Sequence, residues 1–201
     1  MDFEQAMIAS IQMNFPEAQI SGCNFHFNQC MWRNLQNFGL TADYTNNEEI
    51  RLHIRMCAAL AYLPIDDVED GWICTQQTSP NHEKLTRFYD YFVSQWLEND
   101  NITKEMWNCH KQRHRSNNAL EGWNNRLNTL IRPHPNVYQL IKCLHQEAEY
   151  AEHLYQRVTL NLEGKRRKKS YIILDERIAK TIQKYTETRN LRSCLKTLAY
   201  I

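Results

Sequence analysis

Apolar residues recur every three to four positions through most of this chain, and that pattern leaves little room for anything but α-helix. Ile50, Ile54, Cys57 and Ala61 make one stripe, stopped near Pro64. Leu85, Tyr89, Phe92 and Trp96 make a second, opened by Ser79-Pro80 and ended by Asn99-Asp100-Asn101. Ser116 to Ile131 carries Leu120, Trp123, Leu127 and Leu130 on the side expected to be buried. A long helix is expected from Pro135 to about Leu162, burying Val137, Leu140, Ile141, Leu144, Ala151, Leu154 and Val158, with Gly164 as its stop. A last one begins near Asp175 and uses Ile178, Ile182 and Tyr185. The 201 residues hold only five glycines and five prolines, so tight turns are scarce and long helices are the natural reading.

The first fifty residues add variety. Phe3, Met7, Ile11 and Phe15 recur at i+4 spacing, Asp2 stands where an N-cap belongs, and Gln5 follows three residues on. Pro16 closes that helix. Residues 18–23 are long enough only for a short strand, and a helix with Phe27, Met31, Leu35 and Phe38 on one face follows, stopped by Gly39.

A formal net charge of +1 does not announce a nucleic-acid partner, so such a partner has to be argued from local patches. The seven cysteines form no CxxC pair and Met1-Asp2-Phe3-Glu4 is polar, which points to a reducing, intracellular compartment with the thiols as small buried hydrophobes. No apolar run approaches the length of a membrane span.

Three segments carry chemistry: Asp2-Phe3-Glu4, Cys23-Asn24-Phe25-His26, and Arg115 to Asn124. Each has a plain structural reading. Asp2 reads as a helix cap, and Asn118 with Glu121 is spaced like a capping box. Cys23 and His26 have half the spacing of a zinc site, and neither a second pair nor the His110/His114 spacing completes it. Asn117, Glu121, Asn125 and Asn128 form a polar stripe suited to lying against a phosphate backbone, with His114 and Arg115 just upstream as phosphate contacts. The basic run Lys165, Arg166, Arg167, Lys168 and Lys169 reads equally as a DNA-contacting or nuclear-import patch and as a solvated joint between helices.

Taken in order, Asp-Phe-Glu, then Gly-Cys-x-Phe-His-Phe, then Leu-Pro, then Arg-Ser-Asn-Asn-x-x-Glu-Gly-Trp-Asn resemble the Mutator-like element (MULE) transposases. The closing Leu191 to Ala199 is similar to the way such proteins end, so the resemblance covers essentially the whole chain. It implies a mostly α chain: a truncated ribonuclease-H-like α/β domain with a large all-helical insertion. Residues 1–47 would be the remnant of the core and residues 48–112 the insertion. Residues 113–201 would hold the helix of the last acidic residue, the long helix, the basic linker and the terminal helix. By motif, Asp2 matches the second carboxylate of the catalytic Asp-Asp-Glu set and Glu121 the third, with Cys23 and His26 in support. His114, Arg115, Asn117, Asn118, Asn125 and residues 165–169 would face DNA.

The family's chemistry uses two Mg²⁺ or Mn²⁺ ions, which activate the attacking oxygen and stabilise the leaving one in phosphoryl displacement. The partner implied is DNA at transposon ends, with a homo-oligomer possible in principle, a nuclear location and no membrane. The first catalytic aspartate has no match in this sequence and would lie on a strand before Asp2. The expectation is therefore a transposase fragment without strand-cutting activity of its own and without a stably bound metal. The other expectation is a non-catalytic helical DNA- or protein-binding module of transposon origin.

Overall fold

The computed structural model describes residues 1–160, 162 and 167–201. The chain is mostly helical, and no strand occurs among the described residues. It divides into two compact units, Met1–Ser116 with Ile173–Ile201, and Asn117–Ile172.

The first unit starts with α1 (Gln5–Asn14) and α2 (Asn24–Asn37). α2 buries Phe27, Met31 and Leu35 along one face and ends at Gly39, whose φ of 67° is the left-handed conformation glycine adopts without strain. α3 (Thr41–Asn46) and α4 (Glu48–Ala59) follow, separated by Asn47. Asn47 is a true N-cap: its side chain accepts from the Glu49 and Ile50 N–H groups, with two glutamates in the first turn favoured by the helix dipole. Beyond α4 come two short 3-10 turns and α5 (Val68–Gln77), which packs Gly71 against Leu60 and Leu63. α6 (Glu83–Phe92) is opened by the His82 side chain rather than by Ser79-Pro80, and runs into a π-turn over Val93–Leu97. α7 (Lys104–Trp107) is a single turn. α10 (Lys169–Thr188), from Ile173 onward, and α11 (Leu191–Leu198) complete the unit, and α11 packs on α4 and α5.

An aromatic cluster forms the centre. Phe27 stacks on Trp107 with centroids 5.2 Å apart and meets Trp96 edge-on at 4.7 Å. Trp72 stacks on Phe92 at 5.2 Å. The Trp107 indole N–H donates to the Trp96 carbonyl at 2.8 Å, so this buried donor is satisfied.

Several local expectations are corrected. Residues 18–23 do not form a strand. Three successive N–H groups, of Gly22, Cys23 and Asn24, donate to three separated carbonyls, those of Met106, Met1 and Arg115. A strand needs one neighbour to take its donors in series, and here the segment is pinned to three. The ribonuclease-H-like α/β core expected over residues 1–47 thus has no sheet among the described residues. Asp2 is not the cap of α1, whose N-cap position is Glu4 and has no side-chain cap bond. α1 starts at Gln5, two residues later than the expected Phe3, and Ile8 is its buried residue while Met7 and Phe15 lie exposed. α10 starts at Lys169, ahead of the expected Asp175.

The second unit contains α8 (Asn118–Leu130) and α9 (Val137–Thr159). α9 opens on a complete capping box between Asn136 and Gln139. The apolar stripes expected to be buried here are largely exposed: Leu120, Trp123 and Leu130 on α8, and Val137, Leu140, Ile141, Leu144, Leu154 and Val158 on α9. Two helices cover only a narrow seam of each other, and an apolar face of about 100° extends well beyond it. The one buried side chain of either helix is polar: Glu147, 6% exposed. The Gly164 stop expected for α9 lies outside the described residues.

Candidate functional site

The corner where α2 begins gathers the first two motif segments. Gly22 sits so tightly that a Cβ there would lie 2.3 Å from the Phe3 ring and 2.9 Å from the Met106 carbonyl. That close approach draws the segment around Asp2 onto the start of α2. Phe3 itself meets Trp96 edge-on at 4.9 Å and anchors the same segment in the aromatic cluster. As a result Asp2 Oδ1 lies 3.0 Å from Nδ1 of His26 on the first turn of α2. The oxygen is off the line of a ring N–H hydrogen bond, so the contact is electrostatic and holds when the imidazole is protonated. The Asp2 side chain is 55% exposed and the His26 side chain 21%.

Cys23, at the N-cap position of α2, is buried, and its N–H donates to the Met1 carbonyl at 2.7 Å. The Cys-x-x-His pair therefore brackets a helix start rather than a strand end. No group of three or more His, Cys, Asp or Glu side chains able to hold a metal occurs among the described residues. Two carboxylates, Asp2 and Glu121, are too few to form a two-ion cage by themselves. None of the seven cysteines forms a disulfide, and burial pushes the Cys57 thiol far up and Cys109 up to about 12, which keeps both protonated and inert.

A second cluster surrounds Arg115. Its guanidinium donates to Asp175 Oδ1 at 2.6 Å and lies 5.9 Å from the centre of the Tyr62 ring. Tyr62 in turn donates to Asn24 Oδ1 at 3.2 Å, and burial pushes its phenol up to about 12. The Arg115 side chain is 13% exposed and committed to protein partners, whereas His114 is exposed. His110 is turned inward, Nδ1 being 2.9 Å from the Tyr62 carbonyl.

In the second unit, Glu121 lies in the first turn of α8 and is exposed. α8 starts at Asn118, with Asn117 at the N-cap position and without a side-chain cap bond to the helix. Glu121 thus stands one position too late for the capping box that its spacing from Asn118 suggested. Asn118 and Asn125 are exposed on the same helix and Asn117 is half-buried. Of the basic run, Arg167, Lys168 and Lys169 are described, the last opening α10, while Lys165 and Arg166 lie outside the described residues.

One cluster went unnoticed in the sequence. Arg126 Nε lies 3.1 Å from each carboxylate oxygen of Glu147, and its guanidinium carbon lies 4.2 Å from the centre of the Tyr150 ring. The clue was present: Glu147 interrupts the seam Leu140, Leu144, Ala151, Leu154 at a position where an apolar residue is expected. No family model, curated protein or solved structure matches the chain.

Proposed function

We propose that this chain is part of a MULE-type DNA transposase, with Asp2 and Glu121 as two members of its metal-binding carboxylate set. The reading rests first on the order and spacing of the three motif segments. The observation that supports it best is the Asp2–His26 contact at 3.0 Å, which brings together side chains from two of those segments 24 positions apart in sequence. A carboxylate that served only to cap α1 would have no reason to be turned toward α2. Exposure of Glu121, Asn118 and Asn125 on α8 is compatible with a helix face presented to DNA.

On this reading Mg²⁺ or Mn²⁺ is the cofactor, supplying the Lewis acid for phosphoryl transfer. Two matched carboxylates fall one short of the set, so residues 1–201 alone are expected not to nick or join DNA strands. Reading the coding DNA ahead of codon 1 tests the assignment. An in-frame segment with strand periodicity ending in aspartate is the expected result, and a frame that lacks any such segment contradicts it.

A second reading, a non-catalytic binding module of transposon origin, is favoured by the exposed apolar stripes of α8 and α9. Exposed apolar surface on this scale marks an interaction face. A transcribed, isolated frame would favour this second reading.

A further inference from the structure

The residues so far named as DNA-facing lie on α8, just ahead of it, and in the basic run. A different surface of the first unit carries a concentration of positive charge that no motif announced. Two adjoining hollows, of about 550 and 210 Å³, open where α10 turns into α11, and both are lined by Asn190, Ser193 and Thr197. Their cations are Lys180 and Lys184 from α10, and Arg192 and Lys196 from α11. No carboxylate lines either hollow.

These four cations differ from four others in the unit. Arg51, Lys84, Lys104 and Arg115 each sit on a carboxylate. Lys180, Lys184, Arg192 and Lys196 are exposed and have no ion pair among the described residues. The acidic residues of α10, Asp175, Glu176 and Glu187, stay outside both hollows. Asp175 is held by Arg115, and Glu187 accepts from Gln183. At the far rim Glu48 reaches the Tyr200 hydroxyl and is paired with Arg51.

The corner is also rigidly presented. Tyr185 of α10 and Cys194, Leu195 and Leu198 of α11 are buried beneath it, and Asn190 caps α11 by accepting from the Ser193 N–H at 3.0 Å. The Ser193 hydroxyl is exposed and makes no hydrogen bond among the described residues, leaving a neutral donor between the cations. Each cation pair is spaced i, i+4, or about 6 Å of helix rise. One strand of a duplex presents a phosphate for about every 3.4 Å of axis, so each pair spans about two phosphates.

We infer that the α10–α11 corner, through Lys180, Lys184, Arg192, Lys196 and the Ser193 hydroxyl, seats the phosphate backbone of double-stranded DNA. The assignment of DNA as the polyanion rests on the function proposed above; the site itself rests on the unpaired charge. Contacts of this kind carry no sequence information and act through counterion release.

The test is equilibrium binding of a fluorescein-labelled DNA duplex of arbitrary sequence to the full chain across a salt series. Each phosphate neutralised contributes about 0.9 to the slope of log K against log salt, so replacing all four cations with glutamine lowers the slope by about 3 to 4. Replacing the three lysines with arginine, which keeps the charge, leaves the slope unchanged. Thermal melts of the variants, followed by circular dichroism, are expected to match the parent because all four side chains are exposed. An unchanged slope in the glutamine variant, with the parent still binding, would overturn the α10–α11 site and leave the DNA reading standing. Absence of binding by the parent would overturn both, as would binding of an RNA duplex in place of DNA.

Discussion

Arg115 and Asp175, sixty residues apart, are joined by a 2.6 Å hydrogen-bonded ion pair that ties the loop ahead of α8 to α10. With side chains 13% and 27% exposed, the pair lies between the surface and interior limits. Arg115→Ala is expected to cost about 1–3 kcal/mol, more than a surface pair and less than a fully buried one. Arg115→Lys restores little of this, since the guanidinium also lies beside the Tyr62 ring. Urea unfolding of the two variants checks both, and full stability in the lysine variant would show that charge alone matters at this position.

Gly71 on α5 is the second test of packing. A Cβ there would lie 2.7 Å from Leu60 Cδ2 and 2.7 Å from Leu63 Cδ1. Alanine gains up to about 1 kcal/mol of helix propensity over glycine. Overpacking a filled core costs about 1–3 kcal/mol, and both leucines are fully buried, so the clash wins. Gly71→Ala is expected to lower the urea midpoint, and a rise would mean that the leucines yield freely.

His53 gives the fold a pH dependence. Its ring is buried beside the Tyr89 hydroxyl, with Nδ1 to Oη at 3.1 Å. Burial holds its pKa below the ordinary value of 6.5, with Glu49 pulling the other way. Below that value the unfolded chain takes up a proton that the folded chain resists, so this contribution is complete above 6.5 and is lost as pH falls. The melting temperature is expected to drop between neutral pH and pH 5, and His53→Gln is expected to flatten that drop. Parallel curves for the two proteins would remove His53 from the account.

Glu121 separates inheritance from local structure. It forms no capping box, so Glu121→Gln is expected to change stability by less than about 0.5 kcal/mol. In metal-free buffer the same change is expected to tighten DNA binding, because a carboxylate facing phosphate is removed. Titration of labelled duplex measures this, and equal or weaker binding would place Glu121 away from the DNA.

The helical class was legible from periodicity, most plainly in α2 and α6. There Phe27, Met31, Leu35 and Leu85, Tyr89, Phe92 all proved buried as their spacing required. Periodicity failed in two physical circumstances. At the expected strand of residues 18–23, the N–H groups of Gly22, Cys23 and the following Asn24 go to three separate segments, which no local pattern encodes. On α8 and α9 the stripes are real, but periodicity reports a face and not what covers it. Around the site, the Asp2–His26 approach depends on the tight fit at Gly22 and on Phe3 docking against Trp96, both long-range contacts invisible in the local sequence.

The central claim is that this chain meets DNA through α8, where Glu121 stands. Ultraviolet cross-linking of the full chain to iodouracil-substituted duplex, with the attached peptides identified by mass spectrometry, tests it most directly. The account predicts cross-links within residues 114–128, and fewer of them after Asn118→Ala/Asn125→Ala. Cross-links confined to α1 through α6, or none at concentrations where the duplex is fully bound, would contradict it.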